Sequence, residues 1–281
     1  MIVPKDAATL MLLRDAPAGQ GGRPEDARMQ VLMLLRNARS TWAGGISLFP
    51  GGAVDDADRA EEMSRFCRGR DDAGASRLLG LDRGGLGYFV AAVRECFEEA
   101  GILLASAGGR PLSFEDAETA SRFEEHRRRL NAGSTSLGAI CAAEGLTLEL
   151  GGLRYFSHWI TPEGSERRYD TRFFVAAVPA GQQALHDDDE VVASVWIEPP
   201  EALRRNGRGE IDLWLPTIKN LEALSRFPTA ADLMAAPAAA TVPVVRPRIT
   251  VEGEAARIVL PGDEDYEQAT GLLPGVAFPT G

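Results

Sequence analysis

Four charged residues with the chemistry of a metal site lie within the stretch AAVRECFEEAG, residues 91–101: Arg94, Glu95, Glu98 and Glu99. On a helix, glutamates at i, i+3 and i+4 project from one face, where their like charges repel. Mg²⁺ and Mn²⁺ prefer carboxylate oxygens and keep open positions for phosphate oxygens. The spacing is therefore compatible with a divalent-metal site, in which Arg94 could hold a glutamate by a charge-assisted hydrogen bond. A solvated surface helix is the alternative.

A glycine turn upstream adds to this hypothesis. The stretch FPGGAVDDAD ends a short apolar run and carries Gly51 and Gly52, with Asp58 a few residues further on. Glycine has no Cβ, so its backbone carbonyl can approach a bound ion or a phosphate closely. We therefore expect the turn and the glutamate helix to form one site.

The composition limits the partners that such a site can serve. The chain has 281 residues, of which 44% are apolar and 25% charged, as in a soluble globular protein. Its net charge of -11 argues against binding to a nucleic-acid backbone, which needs a basic surface. An anionic substrate would therefore need bound cations. Three scattered cysteines and the lack of a membrane-length apolar run favour a cytoplasmic protein that binds no membrane.

The elements that position the site can be predicted from periodicity. Apolar residues recur at three- and four-residue steps between Leu86 and Leu104, which predicts an amphipathic helix carrying the glutamates. The segments rich in aromatic and β-branched residues predict strands. They are AATLMLLRD, MQVLMLLRN, LRYFSHWITP, DTRFFVAAVP and EVVASVWIEP.

Further helices and a terminal hairpin surround these elements. We expect a short helix around EEMSRFCRG, helices in residues 113–145 that open with Ser113 in an acidic capping box, and helices at EALRRNG, WLPTIKNLEALSRF and TAADLMAA. A Pro/Ala-rich connector then precedes RITVEGEAARIVLPG, which predicts a β-hairpin.

Together the two site stretches resemble the signature of the Nudix hydrolases, G-x5-E-x7-R-E-hydrophobic-x-E-E-x-G-hydrophobic. Its second half is matched in full by Arg94, Glu95, Cys96, Glu98, Glu99, Gly101 and Ile102. Its first half is matched by Gly52, but Asp58 stands at the glutamate position and 35 residues separate Asp58 from Arg94. An interrupted signature of this kind resembles the subgroup that includes the peroxisomal coenzyme A diphosphatases.

The resemblance covers residues 29–228 and implies a fold. It implies an α/β (α+β) protein, a Nudix-type α/β/α sandwich with a mixed β-sheet, helical insertions and a C-terminal β-hairpin extension. We expect a Nudix hydrolase domain at residues 1–236, with an insertion at about 59–86 inside the signature and the helical segment 113–145. Residues 237–281 would form the connector, the hairpin and a tail.

The resemblance also implies the catalytic and metal-binding residues. Glu95, Glu98 and Glu99 would bind Mg²⁺ or Mn²⁺, with the carbonyl of Gly51 or Gly52 as a further ligand. Glu95 or Glu98 would orient or deprotonate the attacking water, with Arg94 beside them. Asp58, one methylene shorter than glutamate, is a weaker metal candidate.

A later acidic loop, HDDDEVVASVW, offers one more metal ligand or base. Some members of the family use a loop glutamate here, which makes Glu190 the candidate, with Asp189 behind it. A solvated acidic turn is the alternative.

Arginines are the candidate substrate-binding residues, together with Gly51 and Gly52. Arg36 and Arg39 precede the glycine turn in a pattern related to that of coenzyme A hydrolases, although Thr41 stands where that pattern has another arginine. Arg168 and Arg172 are further candidates for phosphate contacts, because guanidinium groups bind phosphate in a bidentate manner. Surface solubility and ion pairing at a strand edge are the alternatives.

The favoured function is a Mg²⁺- or Mn²⁺-dependent pyrophosphatase that cleaves coenzyme A or its thioesters into a phosphopantetheine and adenosine 3′,5′-bisphosphate. A second hypothesis keeps the chemistry but takes ADP-ribose or another nucleoside diphosphate derivative. A third is a non-catalytic Nudix-fold sensor. We expect no nucleic-acid partner, and a homodimer is an open option.

Overall fold

The computed structural model describes residues 2–16, 27–36, 45–184, 191–239, 241–252 and 255–269. The strands in these ranges are β1 (Lys5–Ala16), β2 (Arg28–Arg36), β3 (Ser47–Leu48), β4 (Gly51–Ala53), β5 (Cys67–Arg68), β6 (Ala105–Ala107), β7 (Arg110–Pro111), β8 (Leu146–Glu149), β9 (Arg154–Ile160), β10 (Tyr169–Ala177), β11 (Val191–Ile197), β12 (Val244–Val245), β13 (Arg248–Glu252) and β14 (Ala255–Val259). The α-helices are α1 (Asp72–Leu79), α2 (Gly85–Ala100), α3 (Ala117–Asn131), α4 (Leu137–Glu144), α5 (Pro199–Gly207), α6 (Leu215–Leu224) and α7 (Ala230–Ala235).

The main sheet is mixed, as predicted. Its strand order is β11-β2-β1-β10-β9-β12, with β3 paired to β2 and β4 paired to β1. The pairs β1–β10 and β9–β12 are parallel, and the other pairs are antiparallel. Strand β4, which carries the glycine turn, is therefore fixed to the central strand of the sheet.

Two hydrophobic clusters cover the two faces of the sheet. Alternate residues of a strand point to opposite faces, so Leu10 and Leu12 join the cluster around α2, whereas Met11 and Leu13 join the cluster around α5, α6 and α7. A strand that is buried on both faces is typical of a sheet between helical layers. The α/β/α sandwich is thereby confirmed.

The insertion and the helical segment meet beside this sandwich. Strand β5 lies in the insertion and pairs with β8, which follows α4, in a small sheet of order β5-β8-β6-β7. Met63, in a 3₁₀ segment of the insertion, packs against Gly138 of α4. The two additions to the core therefore form one layer instead of two separate appendages.

Several local predictions need correction. The stretch EEMSRFCRG forms the 3₁₀ segment Glu61–Phe66 and then β5, because pairing with β8 extends the chain there. The following helix, α1, was not predicted. Helix α3 begins after Asp116, whose carboxylate accepts a hydrogen bond from the Thr119 N–H, so Asp116 and not Ser113 is the N-cap.

The predicted C-terminal hairpin is present: β13 pairs with β14 in antiparallel orientation. Its connector also contains β12, which joins the main sheet beside β9. The division at residue 236 stays a prediction. Within the described ranges, no helix combines the length and the apolar character needed to cross a membrane.

Candidate active site

Helix α2 carries the glutamates and is the most deeply packed helix of the site. Its apolar side chains, among them Phe89, Val93 and Phe97, pack on the sheet, as their spacing predicts. The helix ends at Gly101, whose φ of 68° lies in the left-handed region that glycine adopts without strain. The Gly101 N–H donates to the Phe97 carbonyl and closes the last turn.

The glycine turn lies directly against the glutamates. The Gly51 N–H donates to Oε2 of Glu99 at 2.9 Å. A Cβ on Gly52 would lie 2.5 Å from Oε1 of Glu95, closer than any side chain can approach. The structure therefore brings together the two stretches that the sequence separates, and glycine is required at position 52 for this contact.

Arg94 and Asp58 form a buried ion pair at the base of the site. The Nε of Arg94 donates to Oδ1 of Asp58 at 2.9 Å, and Nη2 donates to Oδ2 at 2.9 Å. The same Nη2 donates to the Ala53 carbonyl at the end of β4. Only 3% of Asp58 is exposed. These contacts favour Asp58 as the residue that positions Arg94, whereas its role as a metal ligand stays a prediction.

The other end of Arg94 holds two of the glutamates. Its Nη1 donates to Oε1 of Glu95 and to Oε2 of Glu98, both at 2.9 Å. Burial raises the pKa of Glu95 to about 7, against the opposing effect of the Arg94 charge, and the charge of Glu98 raises it further. Burial likewise raises the pKa of Glu98. Asp55 also lies 3.6 Å from Nη2, so one guanidinium faces four carboxylates and leaves a negative excess.

This donor set fits a hard divalent cation in its chemistry. Oxygen ligands and an uncompensated negative charge are what Mg²⁺ and Mn²⁺ require. Across the described ranges, no three acidic, histidine or cysteine side chains have the spacing of a metal site. Glu95 and Glu98 instead accept hydrogen bonds from Arg94. These two glutamates would have to share their oxygens between Arg94 and a cation.

Arg127 on α3 is a site residue that the sequence analysis missed. Its Nε donates to the Glu98 carbonyl at 2.8 Å, and its Nη2 donates to the Glu99 carbonyl at 3.0 Å. A cation at the C-terminal end of a helix satisfies carbonyls that have no helical partner and offsets the helix dipole. Arg127 therefore fixes the end of α2 that carries the glutamates. Its sequence context, EEHRRRL, looks like an ordinary polar helix and gives no such signal.

The two arginines of the RRYDTRFF stretch have different surroundings. Arg168 donates to the main-chain carbonyls of Thr161 and Ile2, so it ties the N-terminal segment to the sheet. Arg172 is buried, pairs with Asp170 at 2.9 Å and lies over the ring of Tyr88 in α2. The contacts of Arg168 favour a structural role, and Arg172 faces a pocket beside α2.

The remaining predicted residues lie at the end of β2 or outside the described residues. Arg36 ends β2, where its partner in the strand register is Val191. Arg39, Asp189 and Glu190 fall outside the described residues. Their assignments stay predictions.

Comparison with known proteins identifies relatives of this chain. Residues 83–224 match the family model described as "NUDT19 Nudix domain". The protein named acyl-coenzyme A diphosphatase NUDT19 in Gallus gallus is 31% identical over an alignment of 264 positions that covers 82% of this chain and 70% of that protein. Its counterpart in Homo sapiens is 28% identical over an alignment of 251 positions that covers 78% of this chain and 67% of that protein.

A solved structure has a similar fold. The crystal structure of a NUDIX hydrolase from Alicyclobacillus acidocaldarius superimposes with a TM-score of 0.68 at 28% sequence identity. The superposition covers 85% of this chain and 98% of that chain. The two chains therefore share a similar fold over most of their length.

Proposed function

Because this chain belongs to the Nudix hydrolase family, we propose that it hydrolyses the diphosphate of coenzyme A or acyl-coenzyme A with the help of a divalent cation. The products would be a phosphopantetheine and adenosine 3′,5′-bisphosphate. The observation that carries the proposal is the closure of the glycine turn on the glutamate helix. Gly52 leaves no space between β4 and Glu95, and Arg94 holds Glu95 and Glu98 side by side.

The protein's own groups have separate tasks in this reaction. Glu95 and Glu98 would hold the cation, and Glu99 and the carbonyl of Gly51 are the further candidates. When bound, a divalent cation neutralises diphosphate oxygens and lowers the pKa of a bound water. Glu95 or Glu98 accepts a proton from the attacking water while the water oxygen forms a bond to phosphorus. The bond between that phosphorus and the bridging oxygen then breaks.

Positioning accounts for much of the rate enhancement in phosphoryl transfer. Arg94 keeps the two glutamates together, and Asp58 keeps Arg94 in place through two hydrogen bonds. Arg127 holds the carbonyls of Glu98 and Glu99. Asp58, Arg94 and Arg127 therefore act as positioning residues in this proposal.

The substrate class rests on the relatives. Two proteins that this chain resembles over most of its length are named acyl-coenzyme A diphosphatases. Mg²⁺ or Mn²⁺ as the cation and a cytoplasmic location belong to the proposal as predictions from sequence and resemblance, and a homodimer stays an open option.

Product analysis tests the proposal. The protein would be incubated with Mg²⁺ or Mn²⁺ and a panel of coenzyme A, acetyl-coenzyme A, ADP-ribose, NADH and a diadenosine polyphosphate, and the products separated by chromatography. Glu98→Gln would be the inactive comparison. Glu124→Gln, an exposed glutamate on α3, would be the matched control.

We expect adenosine 3′,5′-bisphosphate from coenzyme A with the wild type and the control variant but not with Glu98→Gln. Cleavage of ADP-ribose or a dinucleotide instead would keep the site and replace the substrate. No turnover of any compound with either metal would favour the sensor hypothesis.

A further inference from the structure

A polar pocket is lined by Arg70 and Arg172, whose guanidinium groups lie over the rings of Phe89 and Tyr88 in the N-terminal half of α2. Its volume is about 730 Å³. Three parts of the chain form its walls: the insertion with Arg70 and Arg77, the strands β9 and β10 with His158 and Arg172, and the connector with Arg246. Tyr88, on which Arg172 lies, precedes Glu95 by seven residues, which is about 10 Å along a helix.

The pocket is basic although the protein is acidic. Four arginines line it, at positions 70, 77, 172 and 246, and Asp170 is its one carboxylate among the described residues. The whole chain has 41 acidic and 30 basic residues. A local excess of positive charge in a protein of this composition indicates a pocket for an anion.

Arg172 has an unused hydrogen-bond donor in this pocket. The residue is 3% exposed, and its guanidinium lies 4.2 Å from the centroid of the Tyr88 ring. Its Nη1 donates to Asp170, which also contacts Nε2 of His158. Its Nε is buried and has no hydrogen-bond acceptor among the described residues. A buried donor without an acceptor destabilises the folded protein unless a ligand satisfies it.

Arg70 repeats this arrangement on the opposite wall. Its guanidinium lies 4.5 Å from the centroid of the Phe89 ring, next to Tyr88 in the sequence. Its Nη2 donates to the Leu153 carbonyl, whereas its Nε is buried without an acceptor. In the described part of the chain, these two Nε atoms are the buried side-chain polar atoms that lack a hydrogen bond. Both belong to residues that line this pocket.

We propose that this pocket binds a phosphate monoester. A guanidinium edge matches the oxygens of a phosphate, and the doubly charged group suits four arginines that face a single carboxylate. The rings of Tyr88 and Phe89 hold two guanidiniums flat by cation–π contact, so little side-chain entropy is lost on binding. The insertion that interrupts the Nudix signature thus supplies two arginines of a binding site.

Such a phosphate has two sources. It is part of the substrate if the proposed function holds, because coenzyme A carries a 3′-phosphate away from its diphosphate. Alternatively, it belongs to a separate phosphorylated compound that occupies the pocket independently of the reaction. The binding chemistry is the same in both cases, and only the first source rests on the proposed function.

Isothermal titration calorimetry with inorganic phosphate, in EDTA to remove divalent cations, tests the pocket itself. The variant Arg70→Gln/Arg77→Gln changes the insertion wall and avoids the buried Arg172. Arg83→Gln, an exposed arginine of the same insertion outside the pocket, is the matched control. We expect the double variant to bind phosphate at least about tenfold more weakly than the wild type, and Arg83→Gln to bind it equally. Equal affinity of the double variant, or no binding by the wild type, would overturn the proposal.

Steady-state kinetics with coenzyme A and 3′-dephospho-coenzyme A then identify the source. A tenfold higher KM for coenzyme A alone in the double variant would assign the phosphate to the substrate. Unchanged KM values for both compounds, together with lost phosphate binding, would assign it to a separate compound. If the wild type hydrolyses neither compound, the proposed function fails, while the calorimetry still decides whether the pocket binds phosphate.

Discussion

Asp58 and Arg94 form a bidentate, buried ion pair although 35 residues separate them in the chain. The insertion therefore begins next to the site, directly after Asp58, and ends at α2, which carries the glutamates. Both halves of the interrupted signature meet at this pair, because Arg94 also reaches β4 through the Ala53 carbonyl.

Replacing Asp58 should weaken both stability and activity. In Asp58→Ala the guanidinium of Arg94 stays buried without its bidentate partner, which costs about 3 kcal/mol. Without Asp58, Arg94 would no longer hold the carboxylates of Glu95 and Glu98 in fixed positions, so kcat should also fall. Urea unfolding and steady-state kinetics measure the two effects. Asp56→Ala, which changes an exposed acid of the same turn, should leave the free energy of unfolding and kcat unchanged. If Asp58→Ala also left both quantities unchanged, the positioning role of Asp58 would be contradicted.

The two turn glycines should respond differently to alanine. In Gly52→Ala the new methyl meets the end of the Glu95 side chain, which can move away, so activity should fall more than about tenfold while stability changes little. In Gly51→Ala the methyl would lie 2.6 Å from the carbonyl oxygen of Ala8 in β1, which cannot move alone. This variant should lower the free energy of unfolding by about 1–3 kcal/mol. The midpoint of thermal unfolding should therefore fall by several degrees. Similar losses of stability in both variants would show that Glu95 is not free to move.

Removing the Arg127 side-chain charge should loosen the end of the glutamate helix. Arg127→Met keeps the apolar stem but removes the charged donor to the carbonyls of Glu98 and Glu99, at a cost of about 1.5–3 kcal/mol. The Glu98 carbonyl keeps the longer hydrogen bond from Nδ2 of Asn131. We expect a lower free energy of unfolding and a lower kcat with little change in KM. Arg128→Met, on the exposed side of the same helix, is the control. Unaltered kcat in Arg127→Met would limit this residue to a purely structural role.

Divalent cations should stabilise the fold before any substrate is added. A ligand that binds only the native state raises the unfolding midpoint by mass action, about 2–4 °C per kcal/mol for a chain of this size. Mg²⁺ or Mn²⁺ should therefore raise the midpoint of the wild type, and EDTA should reverse the shift. The double variant Glu95→Gln/Glu98→Gln should show no shift in differential scanning fluorimetry. A shift that survives this variant would place the cation elsewhere.

Acid should weaken the junction between α3 and α4 through Glu144. Burial alone would raise the pKa of Glu144, but hydrogen bonds from His126 and Arg122 outweigh it and lower the pKa below its usual range. A carboxyl group with a lowered pKa in the folded state stabilises the protein above its unfolded pKa, about 4.3. That contribution disappears as the pH falls through the lower, folded pKa.

The free energy of unfolding of Glu144→Gln, measured in urea from pH 7 to pH 3, should therefore lie below that of the wild type at pH 6 and approach it below about pH 4. Glu124→Gln, an exposed glutamate of α3, should follow the wild-type curve throughout. A constant gap between Glu144→Gln and the wild type at all pH values would contradict this account.

The sequence by itself determined helix α2, the long strands of the main sheet and the core of the candidate site. The step of three and four residues along α2, the β-branched runs of the main sheet and the spacing of Arg94, Glu95, Glu98 and Glu99 are local patterns. Each depends on the fixed geometry of one helix or one strand, so it can be recognised without knowing what lies opposite. The hairpin β13–β14 was predictable for the same reason.

The tertiary structure alone decided which distant residues support that site. Asp58 meets Arg94, Arg127 meets the end of α2, and Arg70 lies in one pocket with Arg172, although about a hundred residues separate the last two. Strand β5 exists only because β8 pairs with it. These contacts arise when separate elements pack together, and an arginine in a charged stretch looks the same whether it ends in solvent or beneath a neighbouring helix. The sequence could therefore identify the charged residues of α2, but the packing of distant elements decided which residues position them and formed the pocket that Arg70 and Arg172 line.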